Sequence, residues 1–107
     1  MYLPVHDSTA LTEVFERSEE EPQLVFVFDP HCGLNTRALK QLDEVEGFDI
    51  HVVDVARNHG LGVAIQLATG VKHESPQVLL LSGRTAVWHA SHRGITRDAV
   101  REALTVR

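Results

Sequence analysis

"LVFVFDPHCGLNTRALKQLDEVEG" occupies residues 24–47 and joins a strand pattern to a helix pattern. Leu24 to Phe28 form an unbroken β-branched and aromatic run, the pattern of a strand buried on both faces. The Asp29-Pro30 step ends that run. From Gly33 to Glu46 the apolar residues are Leu34, Ala38, Leu39, Leu42 and Val45, a helical stripe that Gly47 terminates. The single cysteine of the chain, Cys32, stands where the predicted strand hands over to the predicted helix. A buried structural cysteine belongs inside an apolar run, so a thiol at the polar exit raises the question of chemistry.

Working outward, Asp7 or Ser8 can cap a first helix in which Leu11, Val14 and Phe15 share one face, with Pro22 as its stop. "FDIHVVDV" (48–55) predicts a second strand, and "LGVAIQLATG" (61–70) a shorter helix ended by Gly70. "PQVLLLSGRTAVWHAS" (76–91) predicts two strands joined at Ser82-Gly83-Arg84, a hairpin signal. Thr96 can cap a last helix with Ala99, Val100, Ala103 and Leu104 on its apolar face. The predicted order is α-β-α-β-α-β-β-α. Strands separated by helices imply parallel pairing with right-handed crossovers, and the closing hairpin adds an antiparallel edge. The expectation is an α/β fold, a four-stranded mixed sheet flanked by helices in one domain over residues 1–107. This order of elements resembles that of a thioredoxin-like domain.

Composition narrows the function. Ten Lys and Arg against fifteen Asp and Glu give a formal charge of −5, without a basic cluster that could track phosphates, so no nucleic acid is expected as partner. The apolar stretches are too short to cross a bilayer, and "MYLPVHDSTA" has no basic start followed by an apolar block. No membrane partner and a cytoplasmic location are therefore expected. One cysteine cannot form an internal disulfide or a Cys-rich zinc site; it permits a free thiol in a reducing compartment.

At a helix N-terminus a thiol meets the positive end of the macrodipole and unpaired backbone N–H groups. Both favour thiolate, the attacking species in thiol–disulfide exchange. His31 is adjacent in sequence and, if protonated, adds positive charge. Position alone leaves an inert thiol open as the other reading. So does a metal site drawing on His31, Cys32, His73, His89 and His92, although no spacing among these residues is diagnostic of a metal.

"VKHESPQVLLLSGRTAVWHASHRGIT" (71–96) resembles the signature segment of the monothiol bacilliredoxins, thioredoxin-like proteins of bacteria that use bacillithiol. The resemblance implies that Cys32 is the redox-active thiol and that Pro76, at a strand entrance where proline cannot donate to a ladder, is a cis-proline facing it. It also implies that the backbone before this proline binds an extended substrate by local strand addition. His31, Gly33, Asn35, His73 and Ser75 are the further residues expected at the substrate cleft, and no metal ligand is assigned. Lys72, Glu74 and Gln77 flank Pro76 as in the family, and Trp88, His89, Ser91, His92, Ile95 and Thr96 repeat its second block, expected mainly to shape the fold.

The departure lies at the thiol. The family usually carries Cys-Pro-x-Ser, whereas this chain has Cys32-Gly33-Leu34-Asn35, still without a second thiol. The implied activity is removal of bacillithiol from S-bacillithiolated proteins by a monothiol mechanism, with no bound cofactor and bacillithiol, a low-molecular-weight thiol, as co-substrate. "CGLN" is also similar to the Cys-Gly-Phe-Ser motif of monothiol glutaredoxins, some of which hold an iron–sulfur cluster with glutathione. The alternative function is accordingly a thioredoxin-fold adaptor binding a metal or cluster through Cys32 and histidines.

Overall fold

Leu24 to Val27 are less than 2% exposed, and their side chains alternate between two separate apolar cores. This strand is β2 (Gln23–Phe28) in a computed structural model that describes residues 1–31 and 33–106. The other elements are β1 (Tyr2–Val5), α1 (Ser8–Arg17), α2 (Leu34–Asp43), β3 (Ile50–Asp54), α3 (His59–Thr69), β4 (Gln77–Ser82), β5 (Thr85–Ser91) and α4 (Arg97–Val106). A single 3-10 turn, His92–Gly94, joins β5 to α4.

Among the described residues the sheet has five strands in the order β1-β3-β2-β4-β5, not the four expected. The additional strand is β1, which pairs parallel with β3 from Tyr2↔Ile50 to Val5↔Val53. Its four residues include Pro4, which lacks a donor N–H, and such a strand is tolerated at an edge where one side needs no ladder partner. Local pattern did not reveal it because its burial alternates only weakly and its partner is nearly fifty residues away. The Tyr2 hydroxyl donates to Asp43 Oδ1, tying this edge to the end of α2. The first helix is also shorter than expected. It stops at Arg17, where the Ser18 hydroxyl donates to the Phe15 carbonyl at 2.5 Å, well before Pro22.

β2 pairs parallel with β3 and antiparallel with β4, and β4 pairs antiparallel with β5. The expected hairpin is present: Gly83 and Arg84 have φ of 60° and 66°, the positive pair that a two-residue turn matching strand twist requires. Gly83 N–H donates to the Ser18 carbonyl and Arg84 N–H to the Ser18 hydroxyl, so the turn is docked on the end of α1. On one face Val25, Val27, Val53, Leu79 and Leu81 pack with Leu11, Phe15, Leu61 and Ile65 of α1 and α3. On the other, Leu24, Phe26, Ile50, Val78 and Leu80 pack with Ala38, Leu42 and Val100 of α2 and α4. Each fully buried aliphatic or Phe side chain contributes about 1.5–3 kcal/mol of transfer free energy. Thr96 Oγ1 accepts from Ala99 N–H, the expected cap of the last helix. Among the described residues no helix is long and apolar enough to cross a membrane.

One polar pair lies inside the first core. His51 and Gln23 are buried, and the imidazole Nε2 is 2.9 Å from Gln23 Oε1. Gln23 Nε2 donates to the Glu21 carbonyl at 3.2 Å, which leaves Oε1 to accept from His51 Nε2–H. Burial, with Arg17 nearby, pushes the His51 pKa below its ordinary value, against a smaller opposing influence of Asp49. The unfolded chain then binds this proton more readily than the folded one. The contribution of His51 to stability is complete above the ordinary histidine value of about 6.5 and is lost as pH falls below it toward the depressed folded value. Thermal melts of the wild type and His51→Leu between about pH 7.5 and about pH 5 are expected to show a steeper acid-side decline in the wild type. Parallel declines would contradict this.

Candidate active site

The strand registers put three chain ends at one pole of the sheet. Val27 near the end of β2 pairs with Gln77 at the start of β4, and Gln77 pairs with Ser91 at the end of β5. The segment from Asp29 to α2 and the segment from Lys72 to Pro76 both adjoin this pole. It is the carboxyl end of the parallel strands β2 and β3, where open α/β sheets bind their ligands.

Two side chains shape the first segment. Asp29 folds back on the chain, its Oδ1 accepting from His31 N–H at 2.9 Å. Asn35, in the first turn of α2 and only 3% exposed, reaches across to the same residue: Oδ1 accepts from Asp29 N–H at 3.1 Å and Nδ2 donates to the Asp29 carbonyl at 2.5 Å. The carboxamide therefore holds the exit of β2 against the entrance of α2. Cys32, the expected nucleophile, lies outside the described residues. Its neighbours His31 and Gly33 are both exposed. Gly33 is the N-cap of α2, with φ −62° and no side-chain cap bond, and a Cβ there would meet nothing within 4 Å. This φ is one a proline ring also adopts, so glycine in place of the proline usual in the resembled family leaves the backbone direction unchanged.

The second segment carries the cis Ser75-Pro76 peptide bond, the isomer that the resemblance implied. Pro76 is buried, while His73 and Ser75 are half-buried. His73 is seated on α3: its N–H donates to Gln66 Oε1 at 2.6 Å, and its ring covers Gly62. A Cβ at position 62 would stand 2.7 Å from His73 Cε1 and 2.9 Å from Nδ1, so only glycine allows this approach. Sequence reasoning did not single out Gly62 or Gln66. The available signal was a glycine inside a predicted helix, a placement that usually has a packing reason.

The two blocks "KHESPQ" and "WHASH" meet here. Gln77 Nε2 donates to the Lys72 carbonyl at 3.0 Å and to Ser91 Oγ at 3.3 Å. His92 N–H donates to the Pro76 carbonyl at 2.9 Å, from a left-handed backbone with φ 53°. His92 Nδ1 lies 3.8 Å from Glu74 Oε2. A hydrogen bond from Ser91, with smaller contributions from His92, Lys72 and His89, holds the Glu74 carboxyl below the usual carboxylate range. Among the described residues no three His, Cys, Asp or Glu side chains come together as a metal-binding group.

The fold is that of thioredoxins. A solved structure named as a candidate oxidoreductase with a thioredoxin fold superposes with a TM-score of 0.87 at 22% identity, covering 95% of this chain and 92% of its own. Thioredoxin from Fasciola hepatica gives 0.74 at 16% identity with 97% of each chain covered. A variant thioredoxin from Halobacterium salinarum gives 0.71 at 21% identity, covering 98% and 88%. Within this class, residues 4–100 match the family described as monothiol bacilliredoxin BrxC, and the chain belongs to that family. Membership supports a thiol redox role.

Asn35→Ala removes both side-chain bonds to Asp29 and leaves a partly buried N–H and C=O without that partner. A loss of about 1–3 kcal/mol in urea unfolding is expected. A loss below about 0.5 kcal/mol, the size of an ordinary surface substitution, would contradict the clamp.

Proposed function

We propose that this protein is a monothiol disulfide reductase that removes bacillithiol from S-bacillithiolated proteins in the reducing environment of the cytoplasm, with Cys32 as nucleophile. The observation that carries the reading is the family match over residues 4–100 in a chain whose only cysteine directly precedes the cap of α2. The Cys32 thiolate attacks the bacillithiol sulfur of the mixed disulfide. A new disulfide joins Cys32 to bacillithiol, and the client protein leaves as its thiolate. A free bacillithiol thiolate then attacks the adduct and regenerates Cys32, leaving as bacillithiol disulfide. The two electrons that reduce the client come from the client's bacillithiol and this second molecule, so no bound cofactor takes part.

Residue roles follow from the same reading. Exposed His31 and Gly33 flank the attacking thiol, with the start of α2 favouring its anion. The backbone of Ser75 before Pro76 pairs with the extended client, and His73 borders that cleft. Asn35 stands where a two-thiol enzyme carries its resolving cysteine. Its carboxamide orders the loop, and with no second thiol the resolving step is left to an external one.

Cys32→Ser tests the assignment. The variant is expected to melt within a few degrees of the wild type and to lose all exchange with a bacillithiolated client, followed as return of the client's free thiol. Retained exchange in the variant would overturn the assignment.

A further inference from the structure

The segment that carries Pro76 is held on α3 through His73 and also by the end of β5. Ser91, the last residue of β5, accepts from Gln77 Nε2 at 3.3 Å, and its hydroxyl helps to hold the Glu74 carboxyl below the usual carboxylate range. Gln77 is 2% exposed, and its other bond reaches back five residues to the Lys72 carbonyl. The next residue, His92, holds the Pro76 carbonyl through its N–H and approaches the Glu74 carboxylate at 3.8 Å. Residues 74–77 are thus fastened to the last residue of an edge strand and the residue that follows it, and Lys72 is tied in turn to Gln77. Neither Ser91 nor Gln77 adjoins Cys32 in sequence, and neither was assigned a place at the substrate cleft.

We propose that Ser91 and Gln77 are positioning residues that keep the peptide before Pro76 as a rigid strand edge, ready for an extended protein chain. The inference rests on the proposed exchange of protein mixed disulfides, which it deepens by assigning recognition of the client's main chain to this network. An edge already held in its paired conformation avoids the ordering cost that a loose loop would meet on binding. The network therefore acts on the capture of proteins rather than on the reactivity of the thiol. A low-molecular-weight disulfide, which offers no strand to pair, should be indifferent to it.

The test compares the wild type with Ser91→Ala and Ser91→Thr, the latter retaining the hydroxyl. Three readouts are needed: hydrogen exchange of the peptide spanning residues 71–76, steady-state kinetics on a bacillithiolated protein, and kinetics on bacillithiol mixed with a small aromatic thiol as disulfide. For Ser91→Ala, amide exchange in 71–76 is expected to rise about tenfold and KM for the protein substrate about five- to tenfold, the scale of one or two lost hydrogen bonds. The kcat on the protein and kcat/KM on the small disulfide should stay within about twofold, a change of only a few tenths of a kcal/mol. Ser91→Thr should restore both altered readouts. Unchanged exchange in 71–76 would overturn the positioning role whatever the activity. Faster exchange with an unchanged protein KM, or an equal loss on the small disulfide, would overturn the link to client capture. A wild type inactive on both substrates would defeat the proposed function and with it that link, while the exchange readout would still decide whether Ser91 fixes the segment.

Discussion

Everything at the site depends on a strand that is covered on both faces. With Leu24 and Phe26 turned to one core and Val25 and Val27 to the other, β2 cannot slip by a residue without moving its side chains to the wrong environment. Its register against β3 and β4 is therefore fixed, and so is the point at which the chain leaves the sheet. Asp29 to His31 turn at that point because the apolar core has ended. The placement of Asp29 and His31 at the carboxyl pole is a consequence of core packing.

Local polar contacts then refine what packing places. Asn35 and Asp29 order the turn before α2, and Gln77, Ser91, Glu74 and His92 order the segment that holds Pro76. A third attachment, His73 against Gly62 and Gln66, closes this segment onto α3. These anchors use neutral hydrogen bonds and close packing more than charge.

The central strands and the hairpin were legible because their signals are local: an unbroken apolar run, or a Gly-containing turn between two such runs. The segment about Pro76 was legible through a family resemblance, and its proline has the isomer that resemblance implied. β1 was not legible. Four residues with a proline carry too little pattern, and their partner β3 is fixed only by the tertiary fold. Asn35 is expected from sequence at the substrate cleft without a thiol; that its buried carboxamide also ties it to a residue six positions earlier is a contact no local pattern announces. The second family block was expected to shape the fold. It does so at the site itself, since Ser91 and His92 hold the Pro76 segment. Such roles are invisible in sequence because they depend on which strand ends the fold brings to one pole.

The most direct test of the account is the intact mass of the reduced protein after mixing with a bacillithiolated client and, in a second step, with free bacillithiol. One bacillithiol adduct, mapped to Cys32, is expected, and the second step should remove it with formation of bacillithiol disulfide. No adduct on an accessible Cys32, or an adduct that free bacillithiol leaves in place, would contradict it.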